Sequence, residues 1–308
     1  MEHASDDQLM TTPRSRGKYL VWLMVGFLVG SLLMLAVGAL WLGQLPEQYQ
    51  FYGGMWVQAF LLFIFPAVGV ELWWRKRYGT IGAWSLTHKR GALNEKRRGS
   101  SSLRTIVRGV LLLLSAFAAS EFFTWVGGLM EPPAFFKEME EFVTSQYDRL
   151  TNPEGALAIC LAWGATVVLA PFSEEFFFRG GLQGALLRSS KNDHLVVWVV
   201  ALIFSAIHMQ WSGLVTRLFL GLVLGYLALY GRLWWAILFH IFNNLMALLL
   251  STGGGGDWLE QVRGSWWSIG LGLLGLCYLV ALLIGEIRRS GGQETGEVAT
   301  FDDGMMND

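Results

Sequence analysis

The sequence predicts an all-α fold: a polytopic transmembrane helical bundle of about eight membrane helices, with one amphipathic helix at the membrane surface. Composition is the first observation. Hydrophobic residues make up 53% of the 308 residues and charged residues 15%, against about 25% in soluble domains. The second observation is a series of eight apolar runs along the chain. A segment inside lipid must satisfy its own backbone hydrogen bonds, which favours helices for all eight.

The eight predicted helices share an apolar, almost uncharged composition. The first is too long for the apolar core of a cleaved signal peptide, so we interpret it as an uncleaved transmembrane helix. In chain order the eight runs are 19–42, 55–74, 106–130, 156–172, 195–208, 214–230, 233–250 and 266–284.

Basic residues set the predicted orientation. The linker after the second run is rich in lysine and arginine between Arg75 and Arg104, and the last run ends at Arg288 and Arg289. With eight spans, these segments and the N-terminus fall on one side. We therefore predict a multi-pass plasma (inner) membrane protein of a bacterium, with both termini cytoplasmic and membrane lipids as partners. The net charge of −1 gives no indication of a nucleic-acid partner.

Two stretches are predicted to lie outside the bundle. Residues 132–150 place Phe135 and Phe142 near one face and most acidic residues elsewhere, which is typical of a helix on a membrane surface. The tail from Gly291 is glycine-rich and acidic, and we predict that it is disordered.

Polar side chains inside the apolar runs are the main indication of function, because an ionised group in the bilayer is costly unless it is paired or hydrated. They are Glu174, Glu175, Arg179, His208, His240 and Asn244. Glu175 and His208 lie fourteen residues from opposite ends of the turn at 189–194, and so about 20 Å from it. His240 and Asn244 lie about 12 and 18 Å beyond the next turn on that side. The agreement of these depths predicts one shared pocket.

The residue types in this pocket indicate addition of water to an amide. Glu175 and Arg179 are spaced for an i,i+4 ion pair, which leaves Glu174 on a neighbouring face. Glu174 and His208 together could remove a proton from water. The histidine and asparagine of the seventh run lie four residues apart on one helix face, and they could donate hydrogen bonds to an oxyanion.

Three motifs follow one another on successive hydrophobic segments. They are Glu174-Glu175-x-x-x-Arg179, Phe204-x-x-x-His208 and His240-x-x-x-Asn244. This pattern resembles the CAAX protease and bacteriocin-processing (CPBP/Abi) family, which includes the type 2 CAAX prenyl endopeptidases, and the resemblance covers about residues 155–250. It implies a glutamic intramembrane endopeptidase. The roles that it implies are water activation by Glu174 with assistance from His208, oxyanion binding by His240 and Asn244, and support of the site by Glu175, Arg179 and Phe204.

With this resemblance the chain divides into five predicted parts. They are a cytoplasmic N-terminal tail (1–18), N-terminal transmembrane helices and loops (19–154), a catalytic transmembrane core (155–250), an outer loop with the last transmembrane helix (251–290) and a disordered acidic tail (291–308). The expected substrate is a peptide or a membrane protein, with or without a lipid group.

Alternatives remain open at the level of the sequence. No cofactor is expected, but two carboxylates and two histidines could hold zinc in a metal-dependent version of the same protease. Asparagine is a poor zinc ligand, which favours the metal-free version. A non-catalytic membrane scaffold or a bacteriocin self-immunity protein could carry the same polar residues, as an interfacial ion pair, a buried histidine and an interhelical asparagine. Glu121 and Arg217 are further polar residues within the runs, and they could bond each other or line a water path.

Overall fold

The computed structural model describes residues 13–78, 102–231, 233–252, 258 and 261–304. Within these ranges the protein is built from helices and contains no strand, so the predicted all-α fold class is confirmed. The α-helices are α1 (Pro13–Leu40), α2 (Glu47–Gln58), α3 (Phe65–Tyr78), α4 (Ser102–Gly128), α5 (Ala134–Thr151), α6 (Ala156–Trp163), α7 (Ala170–Glu175), α8 (Gly184–Leu187), α9 (Asp193–Ile207), α10 (Leu214–Tyr230), α11 (Leu233–Ser251) and α12 (Trp266–Gly304).

Stretches of π-helix join several of these elements into longer continuous helices. Ala59–Ile64 joins α2 to α3, Gly164–Leu169 joins α6 to α7, and Phe176–Gln183 joins α7 to α8. Pro171 is in the first turn of α7, directly after such a stretch. A proline removes one backbone donor, and the altered hydrogen-bond pattern of a π-helix is a place where that loss can be absorbed.

Six described helices are long and apolar enough to cross a membrane. They are Gly17–Gln44, Tyr49–Tyr78, Val107–Gly128, Ala156–Leu187, Leu233–Ser251 and Trp266–Arg288. Helices α9 and α10 are also apolar but have only 15 and 17 residues. At 1.5 Å per residue they extend about 22 and 26 Å, slightly less than the hydrocarbon thickness of about 30 Å. The protein is therefore a multi-pass membrane protein with six long helices and a shorter hairpin.

The helix predicted over residues 132–150 is present as α5, and its place at the membrane surface stays a prediction. The last helix continues to Gly304 and so includes most of the tail for which the sequence predicts disorder. Extending an existing helix requires no new nucleation, which favours this continuation. Residues 1–12 of the predicted N-terminal tail and residues 79–101 of the basic linker lie outside the described residues.

The helices of the first half support the segment that carries the paired glutamates. Phe177 and Phe178 are buried directly after these glutamates. The ring of Phe177 packs on Phe63 at 5.7 Å, and the ring of Phe178 packs on Phe204 of α9 at 5.3 Å between centroids. This aromatic layer fixes the carboxylate segment between two halves of the bundle.

The hairpin of α9 and α10 packs closely through glycines. A Cβ atom on Gly225 would lie 2.8 Å from Cγ1 of Val197, and one on Gly221 would lie 3.0 Å from both Cα and Cβ of Ala201. Small residues four apart let two membrane helices approach in this way. The approach also leaves the carbonyl groups of both glycines close to the glutamate-bearing segment.

Close packing of α1 on the first π-helical stretch leads to a prediction. A Cβ on Gly30 would overlap the carbonyl oxygen of Leu61, whereas Gly38 on the same helix has open space around it. We expect Gly30→Ala to lower the free energy of unfolding by about 1–3 kcal/mol through overpacking. Gly38→Ala should be neutral or stabilising by up to about 1 kcal/mol, because alanine favours helices over glycine. Thermal unfolding of the detergent-solubilised variants measures both, and equal stability would contradict the proposed close approach.

Candidate active site

A buried ion pair lies at the centre of the polar residues. Nη1 of Arg179 donates to Oε1 of Glu175 at 2.8 Å, and both side chains are 0% exposed. Nη2 of Arg179 donates to the carbonyl oxygen of Gly221 on α10 at 3.0 Å. The guanidinium carbon lies 4.6 Å from the centroid of the Phe204 ring, which adds a cation–π contact. The i,i+4 pair predicted from the spacing is therefore present, and α9 and α10 complete its surroundings.

Gln183 extends this arrangement by one helical turn. It is fully buried, and its Nε2 donates to the carbonyl oxygen of Gly225 at 3.0 Å. The pairs Arg179–Gly221 and Gln183–Gly225 therefore run in parallel between the same two helices. Sequence reasoning missed Gln183. The available signal was its four-residue spacing from Arg179, which matches the spacing of the two glycines.

His240 is held by the same carboxylate. Its Nδ1 lies 3.0 Å from Oε1 of Glu175, and its Nε2 lies 4.0 Å from Oε2 of Glu174. Because an ionised carboxylate accepts only, the hydrogen of this bond is assigned to Nδ1. Glu175 therefore orients the imidazole so that its second nitrogen faces Glu174.

The two glutamates differ in their access to the surroundings. The side chain of Glu174 is 12% exposed and that of His240 is 8% exposed, whereas Glu175 is fully enclosed. The enclosed carboxylate is engaged by Arg179 and His240, whereas the accessible one lies 4.0 Å from the His240 imidazole and also interacts electrostatically with Arg217. This asymmetry allows Glu174, rather than Glu175, to meet a water molecule.

His208 lies at the end of α9, one helical turn after Phe204. Its Nδ1 is 2.7 Å from the carbonyl oxygen of Phe204. A carbonyl oxygen can only accept, so Nδ1 donates, and Nε2 of the neutral ring carries a free lone pair. The Phe204 ring packs against both histidine rings, with centroid distances of 4.9 Å to His208 and 6.0 Å to His240. Phe204 is thus a common neighbour of the two histidines.

Asn244 is oriented by a backbone group of the helix that carries the glutamates. Its Nδ2 donates to the carbonyl oxygen of Thr166 at 3.0 Å. Thr166 lies in the π-helical stretch Gly164–Leu169, where the backbone bonds depart from the α-helical pattern. An amide nitrogen has two hydrogens, so one remains available after this contact. The neighbouring Asn243 is buried, and its Oδ1 has no hydrogen-bond partner among the described residues.

Comparison with protein families identifies the segment that holds these residues. The model described as "Type II CAAX prenyl endopeptidase Rce1-like" matches residues 156–246. This match supports the resemblance of this segment to the CAAX protease and bacteriocin-processing family. All six polar side chains predicted for the site fall within the match. Comparison with curated proteins gave no match, and comparison with solved structures gave none.

The matched segment offers little to a metal ion. Among the residues described, no group of three or more histidine, cysteine, aspartate or glutamate side chains is arranged to hold one. Oε1 of Glu175 is already engaged by Arg179 and His240. The geometry of the segment therefore gives no support to the zinc alternative.

The two further polar residues have separate partners. Glu121 of α4 pairs with Arg263, whose Nη2 and Nε lie 2.8 and 3.2 Å from Oε2. Arg217 donates instead to the side-chain oxygen of Gln210, in the loop between α9 and α10. The alternative in which Glu121 and Arg217 bond each other is therefore wrong.

The burial of the central ion pair leads to a second prediction. Arg179→Met leaves the Glu175 carboxylate enclosed without its main cation, and we expect a loss of about 3–5 kcal/mol in the free energy of unfolding. Arg263→Met provides the control, because both partners of its ion pair with Glu121 are partly exposed. That variant should lose no more than about 1 kcal/mol. Thermal unfolding in detergent measures both, and similar losses for the two variants would contradict the interpretation.

Proposed function

We propose that the protein is an intramembrane endopeptidase in which a glutamate and a histidine activate the attacking water. The observation that carries the proposal is the chain of contacts from Arg179 through Glu175 to His240, which ends 4.0 Å from Glu174. These contacts fix the carboxylate of Glu175 and leave that of Glu174 available to act on water. The family match supports a CAAX-type protease in general terms.

Glu174 acts as the base in this proposal. Its carboxylate removes a proton from water while the water oxygen attacks the carbonyl carbon of the scissile amide. A C–O bond forms and the carbonyl electron pair moves onto the oxygen. When this oxyanion collapses, the C–N bond breaks and the proton on Glu174 passes to the leaving nitrogen. The products are a new carboxyl group and an amine.

His208 assists the same water molecule. Its Nδ1 hydrogen is used on the Phe204 carbonyl, so its Nε2 is an acceptor. A second acceptor lets the water be oriented as well as deprotonated. Removal of this acceptor should therefore slow the reaction while leaving the buried ion pair intact.

His240 and Asn244 stabilise the oxyanion. In this proposal His240 carries a hydrogen on each ring nitrogen, one donated to Glu175 and the other, on Nε2, available to the oxyanion. The free Nδ2 hydrogen of Asn244 supplies the second donor. Fixed donors at a developing oxyanion are among the largest contributions to catalysis.

Aromatic side chains next to the glutamates suit a membrane-associated substrate. Phe172 and Phe176 stack at 4.5 Å, and both contact Trp234 of α11, at 6.2 and 6.3 Å between ring centroids. Trp234 is more than half exposed, so this cluster presents an apolar surface towards the lipid. We propose that the substrate is a peptide or a membrane-protein segment, including one with a lipid group, that approaches from this side.

The orientation of the protein follows from its basic residues in the same proposal. Arg75, Lys76 and Arg77 lie in the last turn of α3, at the end of a membrane-spanning helix. Clusters of this kind favour the cytoplasmic side. We therefore propose a bacterial plasma-membrane location with both termini in the cytoplasm.

The role of Glu174 is tested by Glu174→Gln, which preserves shape but removes the base. We expect kcat to fall by about 10²- to 10⁴-fold with little change in thermal stability. Glu138→Gln, on the exposed face of α5, should retain wild-type kcat. The probes are fluorescence-quenched peptides ending in a Cys-aliphatic-aliphatic-Xaa sequence, with and without a farnesyl group, and quenched peptides of random sequence. Full activity of Glu174→Gln, or cleavage of no peptide by the wild type, contradicts the proposal.

The oxyanion site is tested by two neighbouring asparagines on α11. Asn244→Leu removes the proposed donor, and we expect kcat to fall by about 10²- to 10³-fold. Asn243→Leu is the matched control, because Asn243 has no role in the proposal and its side-chain Oδ1 has no hydrogen-bond partner among the described residues. It should remain within a few-fold of the wild type. Equal losses in both variants would indicate a packing role for this part of α11 instead.

A further inference from the structure

The loop that follows His208 has a constrained backbone. The chain leaves α9 at His208, passes through Met209 and enters α10 at Leu214. Met209 has a φ of 52°, in the left-handed region that side chains other than glycine rarely adopt. Such a conformation persists only where the surrounding structure holds it. The contacts of residues 209–213 therefore bear directly on where His208 lies.

Helix α5 binds this loop from the membrane-surface side. Oε2 of Glu140 accepts a hydrogen bond from the backbone N–H of Trp211 at 2.9 Å, and Oε1 accepts one from the hydroxyl of Ser212. The ring of Phe136 packs on Trp211 at 5.4 Å between centroids. One carboxylate thus holds two consecutive residues of the loop, and a ring contact one turn earlier on the helix adds to it.

Two other helices also contact the loop. A Cβ on Gly127, near the end of α4, would overlap the carbonyl oxygen of Ser212. Arg217 of α10 donates to Gln210 within the loop. The charge of Arg217 also interacts with the carboxylates of Glu174 and Glu140. Helices α4, α5 and α10 therefore all contact the loop.

We propose that Glu140 is a positioning residue of the active site, and that α5 acts as a clamp on the loop that directly follows His208. This inference rests on the proposed function, in which Nε2 of His208 orients the attacking water. A misplacement of about 1 Å in a reacting group can reduce a rate by about 10²-fold. The surface helix thereby becomes part of the catalytic apparatus, although it does not touch the substrate.

Variants of Glu140 separate positioning from general stability. Glu140→Ala removes both hydrogen bonds to the loop, and we expect kcat to fall by about 10- to 100-fold while KM stays within about threefold. Glu140→Gln keeps a carbonyl oxygen for the Trp211 amide and an amide group for Ser212, so it should recover most of the kcat. Glu141→Ala, on the exposed side of the same helix, is the matched control and should match the wild type.

Two adjacent glycines of α4 provide an independent test from a different helix. Gly127→Ala pushes on the Ser212 carbonyl and should lower kcat, whereas Gly128 has open space around it, and Gly128→Ala should not. All of these variants are measured with the quenched peptide that the wild type cleaves fastest, alongside thermal unfolding. If Glu140→Ala does not fold, Ser212→Ala takes its place, with an expected two- to tenfold fall in kcat from the loss of about one hydrogen bond.

Four results would overturn the clamp. Three are a wild-type kcat in Glu140→Ala, a kcat in Glu140→Gln as low as that in Glu140→Ala, and a wild-type kcat in Ser212→Ala where that variant is needed. The fourth is an equal effect of Gly127→Ala and Gly128→Ala. The proposed function fails separately, through an active Glu174→Gln. An inactive Glu174→Gln together with an unaffected Glu140→Ala overturns the clamp alone.

Discussion

The neutralisation of one enclosed carboxylate is the constraint on which the site depends. Glu175 lies in a membrane-embedded helix with no exposure, so its charge requires partners from within the protein. Arg179 supplies one from the next turn, and His240 supplies another from α11. Arg179 must in turn find an acceptor, which it takes from Gly221 on α10. Satisfying a single buried charge therefore fixes the relative positions of three membrane helices.

The irregular backbone of the helix that carries the glutamates also helps to position the site. In lipid, an uninterrupted α-helix has no backbone donors or acceptors to spare, apart from its ends. The π-helical stretch Gly164–Leu169 contains Thr166, whose carbonyl oxygen accepts from Asn244. The stretch Phe176–Gln183 contains Arg179 itself. Departures from the α-helix are frequent at functional sites, and here they flank the paired glutamates on both sides.

Regular spacing explains what could be predicted from the sequence. The pair Glu175–Arg179 follows from the helical period. The similar depth of Glu175 and His208 in the membrane follows from the fixed rise per residue on both sides of the turn that joins their helices. The partner of His240 could not be predicted, because two adjacent carboxylates face it and the rotation of the helix decides between them. The π-helical stretches have no clear sequence signal. The contact of Glu140 with Trp211 joins positions 71 residues apart, and no periodicity links them.

Different interactions therefore hold the two parts of the candidate site, Glu175 with His240 and the segment around His208. Glu175 and His240 are held by enclosed charges, whose interaction solvent and salt screen only weakly. His208 is held by a loop whose own supports are a partly buried carboxylate, a ring contact and a left-handed residue, Met209. Under the proposed clamp, the contacts of α5 therefore act on the loop next to His208 and leave the buried ion pair of Glu175 and Arg179 unchanged.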